Sequence, residues 1–204
     1  MKQHRLRARK FCAGVTLIEL AIVFGVAGVI LGGVWLVIVS TRDSVKLQQT
    51  GEQLLVINKN IRTYYQERPC IAATGDLTAT LTAINPPLIP REMLQANNIS
   101  SPWGTAVTVT RGTVAGTGAA GCDAPEAFQY TVDYLNLPPA ACAALVLKAT
   151  APGEISRGLA AASINDAPIT ALPPNPTAII GTAAGQCSEN ATAKVRFGYR
   201  LRAD

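Results

Sequence analysis

The chain has 204 residues, 49% of them apolar, with 18 Lys and Arg against 13 Asp and Glu; that apolar content excludes a disordered polyelectrolyte and leaves room for one packed domain with appendages. The formal charge of +5 is concentrated in Lys2, Arg5, Arg7, Arg9 and Lys10, and taking those five from the 18 leaves 13 basic against 13 acidic residues. A formally neutral remainder does not point to a DNA-binding domain of the usual basic kind, and nucleic acid is not an expected partner.

In chain order, the basic leader, residues 1–14, also holds Cys12 and the single histidine, His4. From Leu20 to Thr41 no side chain is charged, and Val15 to Val39 is dominated by Val, Ile, Leu, Ala and Gly. About 20 such residues span a bilayer as a helix. Residues 15–41 are therefore expected to cross the membrane, with the leader cytoplasmic and the bulk of the chain on the other side. A secretory signal peptide has an apolar stretch of only roughly 7 to 15 residues followed by a small-residue cleavage site. Here the run is longer, and the small pair Ala13-Gly14 precedes it. Glu19 sits near the start of the run, where an unpaired charge is expensive.

Past Ser44, the apolar residues Val45, Leu47, Leu54, Leu55, Ile57, Ile61 and Tyr64 or Tyr65 recur at mostly helical spacing among polar ones, which reads as an amphipathic continuation of the same helix. Pro69, the first proline, biases Arg68 away from helix. A helix over residues 15–67 would be about 80 Å long. Gly25, Gly28, Gly32, Gly33 and Gly51 each weaken it by up to about 1 kcal/mol relative to Ala, or serve as close-packing positions. Gly28 to Gly33 is the candidate for local melting.

Beyond Pro69 the composition shifts to Ala, Thr, Gly and Pro. Ala106–Thr110, Phe128–Leu135 and Ala193–Leu201 alternate as half-buried strands do. In the last, Val195, Phe197, Tyr199 and Leu201 share one face and Lys194, Arg196 and Arg200 the other; with Arg202 these cations form a basic strip, read as a solvated edge strand. Pro138 to Lys148 fits a short helix with prolines at its start. The Pro-rich stretch Ala149 to Gln186 has no clear periodicity and reads as loop.

Cys70, Cys122, Cys142 and Cys187 all fall in the exported part, an even number that fits two disulfides with three pairings open. No Cys-x-x-Cys occurs, and with one His neither a structural zinc site nor any other metal or cofactor is expected. The lack of His after the leader excludes Ser-His and Cys-His catalysis there. The acids Asp123, Glu126, Asp133, Glu154, Asp166 and Glu189 are scattered and read as solvated surface. Gly112 to Gly121 lacks the strand-turn-helix setting of a nucleotide loop and reads as flexible. The chain is not expected to be an enzyme.

Gly14-Val-Thr-Leu-Ile-Glu-Leu20, with the leader before it and the charge-free run after it, resembles the N-terminal signature of type IV pilins and pseudopilins. The resemblance implies cleavage between Gly14 and Val15 by a prepilin peptidase, followed by N-methylation of Val15. Val in place of the more usual Phe, together with the fourteen-residue leader, is similar to the type IVb branch. Ser101-Pro-Trp-Gly-Thr105 resembles the Pro-Trp-Gly turn that follows the long helix in many pilins. Tyr134 to Leu145 is similar to a segment of type IVb major pilins like the thin-pilus pilin of conjugative plasmids, where a cysteine in a short helix pairs with one near the C-terminus. That resemblance implies a Cys142–Cys187 disulfide, closing a loop stabilised by roughly 3 to 4 kcal/mol, and leaves Cys70 with Cys122.

The fold so implied is an α+β pilin. Residues 1–14 form a removable leader, residues 15–67 a long helix with a transmembrane or filament-core part at 15–41, and residues 68–204 a disulfide-stabilised periplasmic or extracellular head. In it the helix packs on a twisted antiparallel β-sheet whose far edge the Cys142–Cys187 region closes. The function implied is structural: a prepilin held in the inner membrane as a single-pass precursor, passed to the pilus assembly machinery and polymerised with copies of itself into an extracellular filament. Cleavage would leave an α-ammonium on Val15, one turn from Glu19 of the same chain or facing Glu19 of a neighbour. Opposite charges attract strongly in a low-dielectric surround, and removing one partner of a buried pair is costly. Glu19 is thereby assigned the setting of register during assembly. The rival readings are a minor pilin or type II secretion pseudopilin, an adhesin-like or DNA-binding pilin using the Ala149 to Gln186 stretch or the basic strip, and a membrane anchor that never polymerises. Adhesion, aggregation, conjugation and motility all use the same subunit design.

Overall fold

The computed structural model describes residues 16–68, 70–72, 75–84, 86–96, 98–112, 122–123, 125–153, 155–169, 185–188 and 192–201. Its first element is the helix α1, Leu17–Gln66. The chain divides into two compact units, Met1–Arg42 and Asp43–Asp204.

Within the second unit, the apolar stripe of α1 has a definite destination. Leu54, Ile57 and Ile61 lose all solvent contact and join the core cluster contributed by the strands. The helix ends just before Pro69, as the restriction on the residue preceding proline requires. Then come a short helix α2, Thr78–Ala83, and the strands β1, Leu94–Gln95, β2, Asn98–Ser100, β3, Ala106–Arg111, and β4, Gln129–Leu137. Helix α3, Pro139–Thr150, starts on a proline at its first turn, where a missing N–H is harmless. The strands β5, Leu159–Ile164, β6, Ala167–Pro168, and β7, Ala193–Arg200, complete one seven-stranded sheet in the order β1-β2-β3-β4-β7-β5-β6. Every pairing is antiparallel.

Register explains why one face of this sheet is core. Val109, Val132, Phe197 and Ala162 lie opposite one another across four strands, and Val107, Tyr134, Val195 and Ile164 form the next row. All eight are buried, because period-two alternation sends matched positions to the same side. The type of fold expected from the sequence, a long helix packed on an antiparallel sheet with disulfides, is the one found.

Two local expectations are corrected. The strand Ala193–Arg200 is interior, between β4 and β5, and not an edge; its cations face the solvent side of a paired strand. The Ala149 to Gln186 stretch is not all loop, because residues 159–168 supply a hairpin that joins β7. Ala is a weak strand former, but Asn165 and Asp166 both adopt positive φ, 51° and 65°, the two-residue turn that suits a tight hairpin. Pro168 sits on the edge strand β6, where no ladder donor is missed. The stretch Ile71 to Gln95, for which the sequence pattern names no element, holds α2 and β1.

Polar bonds pin α1 to the rest. The Tyr130 hydroxyl donates to Asn58 Oδ1 at 2.6 Å, and Asn58 Nδ2 donates to the Ile155 and Arg157 carbonyls at 3.3 Å. Gln53 Nε2 donates to the Ser100 carbonyl and Asn60 Nδ2 to that of Leu88. Asn58 is 2% exposed, so Asn58→Ala takes the side-chain acceptor from the buried Tyr130 hydroxyl and the side-chain donor from the Ile155 carbonyl, while the Arg157 carbonyl keeps its bond from Arg62. It is expected to lower unfolding stability by about 2 to 3 kcal/mol in urea titrations of detergent-solubilised protein, and Tyr130→Phe in that background to recover about 1 kcal/mol; strict additivity of the two substitutions would contradict the contact.

Candidate functional site

The chemistry begins with a surface that cannot stay in water. Leu17–Trp35 is 19 residues of α1 with mean hydropathy 2.4 and none of it buried. Among the described residues, every exposed large apolar side chain falls in this segment except Val45. At 1.5 Å per residue it is about 28 Å long, close to the thickness of a bilayer's hydrocarbon core. Contiguous apolar surface of this size marks a membrane or protein partner. The helix is unbroken through Gly28 to Gly33, and a Cβ at Gly25, Gly28, Gly32 or Gly33 would meet no atom within 4 Å.

Glu19 lies in the first turn of α1. Its amide donates to Thr16 Oγ1 at 3.4 Å and the Leu20 amide to the Thr16 carbonyl at 3.2 Å, so Thr16 caps the helix. A carboxylate in the first turn is favoured by the helix dipole. Gly14 and Val15 lie outside the described residues, as do the rest of the leader, Arg202 and most of Gly112 to Gly121.

In the second unit, Ser101-Pro-Trp-Gly-Thr105 is a turn that docks on α1. The Ser101 and Thr105 hydroxyls are 2.7 Å apart, and Gly104 takes a φ of 76°, which favours glycine. Trp103 Nε1 donates to Thr50 Oγ1 at 3.2 Å, and Lys46 Nζ stands 5.1 Å from the indole centroid, within cation–π range. Gly51 is buried beside α3, and a Cβ there would lie 2.6 Å from Lys148 Cε.

Cys70 is bonded to Cys122 and Cys142 to Cys187, with Cα separations of 5.6 and 5.9 Å. The first ties the chain leaving α1 to the segment before β4, beside the Ile71 amide's bond to the Ala127 carbonyl. The second joins α3 to a helical turn at residues 185–188.

The basic strip is largely matched by acids. Asp133 on β4 lies directly opposite Arg196 on β7 and accepts a forked pair of bonds from Nε and Nη2 at 2.9 Å, while Lys194 Nζ reaches Asp166 at 3.0 Å. Hydrogen bonding to Asp133 holds the Arg196 guanidinium above its usual pKa, against a smaller lowering by burial. Asp133, read from sequence as solvated, has a side chain only 5% exposed; its partner sits 63 residues on, a distance only the topology closes. Among the described residues no three His, Cys, Asp or Glu side chains gather as a metal site would need.

With this geometry, residues 44–199 match the family described as PilS N terminal. The chain belongs to that family of type IV pilins. A solved relative is the type IVb pilin from Salmonella typhi, with 17% identity and a TM-score of 0.52 over 75% of this chain and 99% of that one. Another solved structure, TcpA, a type IV pilin from the Vibrio cholerae El Tor biotype, gives 15% identity and a TM-score of 0.49 over 75% and 98%. No curated protein sequence matches significantly. The likeness to the first structure is one of fold: this pilin has the α+β architecture of a type IVb subunit.

The pilin head buries three tyrosines, Tyr130, Tyr134 and Tyr199, the first and last stacked with centroids 5.6 Å apart. Burial raises all three hydroxyls above the usual phenol value, and repulsion from Tyr199 adds to the rise at Tyr130 and Tyr134. Since the folded values exceed the unfolded one of about 10, the stability carried by the neutral hydroxyls is complete below pH about 10 and is lost as pH climbs beyond it. Tyrosinate absorbance from these residues should therefore rise together with loss of near-ultraviolet circular dichroism. Full tyrosinate signal in a still-native spectrum would contradict their burial.

Proposed function

We propose that the chain is the structural subunit of a type IVb pilus, resembling the thin-pilus pilin of conjugative plasmids. It would be made as a prepilin anchored in the inner membrane, cut between Gly14 and Val15 by prepilin peptidase, N-methylated on Val15, and polymerised by the assembly machinery into an extracellular homopolymer. The observation that carries this reading is the wholly exposed Leu17–Trp35 segment on a chain of the pilin family. A free subunit satisfies that surface with lipid, and a filament satisfies it with the same segment of other copies. Extraction from the membrane then exchanges one apolar surround for another, while tight packing between helices adds dispersion contacts.

In that dry bundle Glu19 needs a counter-charge, because an isolated carboxylate is costly in an apolar surround. The α-ammonium freed on Val15 supplies it. A neighbour that arrives out of register leaves both charges unpaired, so the pair acts as a gauge of alignment more than as a source of net stability.

The test is Glu19→Ala in cells expressing the full chain, with sheared filaments weighed against membrane-held subunit. Filament yield is expected to collapse while the variant is still processed and stable; undiminished filaments would overturn the role of Glu19.

A further inference from the structure

Beyond Asp43, the outward face of α1 is bordered by two grooves of opposite charge. One, about 560 Å³, is walled by Gln49, Glu52 and Gln53 of the helix and by Glu92, Ser100 and Pro102, among others, and its ionisable side chains are both acids. The other, about 290 Å³, is lined by Asn58, Lys59 and Arg62 with Arg157 and Leu201, and its ionisable side chains are all cations. Arg62 already donates to the Arg157 carbonyl at 2.8 Å; Lys59 and Arg157 are exposed.

The acidic groove carries a mark of what it takes. Gln53, 4% exposed, donates through Nε2 to the Ser100 carbonyl at 2.8 Å, but its Oε1 is buried with no hydrogen-bond partner. A buried acceptor without a donor is an unmet cost, and Gln53 is part of the groove wall. With Glu52 and Glu92 alongside, a cationic donor is preferred.

We propose that the acidic groove receives Lys59 and Arg157 of a second copy, making a head-to-head contact that rests on the polymer reading above. Joining two different patches of one chain is the kind of contact that propagates into an open filament. Apart from Val45, the described part of the head exposes no large apolar side chain, so contact between heads depends on polar and charged groups. Glu52 and Lys59, seven residues apart on α1, share one stripe at a separation of two turns, about 10 Å. Bringing them to one height displaces the second copy along α1 by about that distance.

Three full-length variants test the contact in piliated cells: Glu52→Lys with Glu92→Lys, Lys59→Glu with Arg157→Glu, and the fourfold combination. Each one-sided reversal places like charges together and is expected to cut sheared filament yield at least about tenfold, and the fourfold exchange to restore most of it. Wild-type yield from both one-sided variants, or no rescue by the fourfold exchange, would overturn the contact. A density map of wild-type filaments checks it without any variant. The two grooves facing each other with a stagger of about 10 Å supports it, and grooves apart or filled by another protein overturn it. Absence of wild-type filaments would instead overturn the polymer reading itself.

Discussion

A single helix in this pilin has to satisfy two surroundings. Its first nineteen described helical residues, Leu17–Trp35, bury nothing within the chain, whereas Leu54, Ile57 and Ile61 on the same helix are wholly enclosed. Most of the structure follows from that contrast. The enclosed part needs a partner inside the chain, and the antiparallel sheet supplies it; the open part needs partners outside, which in the proposed function would be lipid and then further copies. The helix is continuous in the sequence of its hydrogen bonds, but its stability comes from two sources that do not substitute for each other.

The head is held to its share of the helix by more than apolar contact. Thr50, Gln53, Asn58 and Asn60 each spend a hydrogen bond on a distant segment or turn, reaching Trp103, Ser100, Tyr130 and Leu88. Apolar packing alone is tolerant of sliding, whereas directional bonds from buried groups fix one register because each is costly to leave unmade. The two disulfides close the ends of this arrangement, one where the chain leaves α1 and one between α3 and the segment leading to β7.

How much of this could be read in the sequence depended on whether the signal was local. The apolar run after Val15 and the stripe from Val45 to Tyr65 are patterns along one helix, and β3, β4, α3 and β7 each carry their own alternation or proline signal. The hairpin of β5 and β6 carries little local signal because half of Leu159–Ile164 is alanine, whose preference for strand is weak; the available cue is Asn165-Asp166, two residues that tolerate positive φ. The interior position of β7 and the pairing of Asp133 with Arg196 were out of reach for a different reason. Both depend on which strand lies beside which, and alternation along β7 is the same at an edge as in the middle. For the candidate site, Glu19 and the Val15 junction stood out because a charge and a small-residue pair interrupt an otherwise uniform pattern. The grooves beside α1 did not, since Glu92 and Arg157 reach them only through folding.

The central claim is that this chain is a filament subunit packed through the apolar part of α1. Intact-mass spectrometry of the protein in sheared surface filaments tests it most directly. The account predicts one dominant species that starts at Val15, carries one added methyl group and retains both disulfides. Filaments lacking this chain, or containing it only with residues 1–14 still attached, would contradict it.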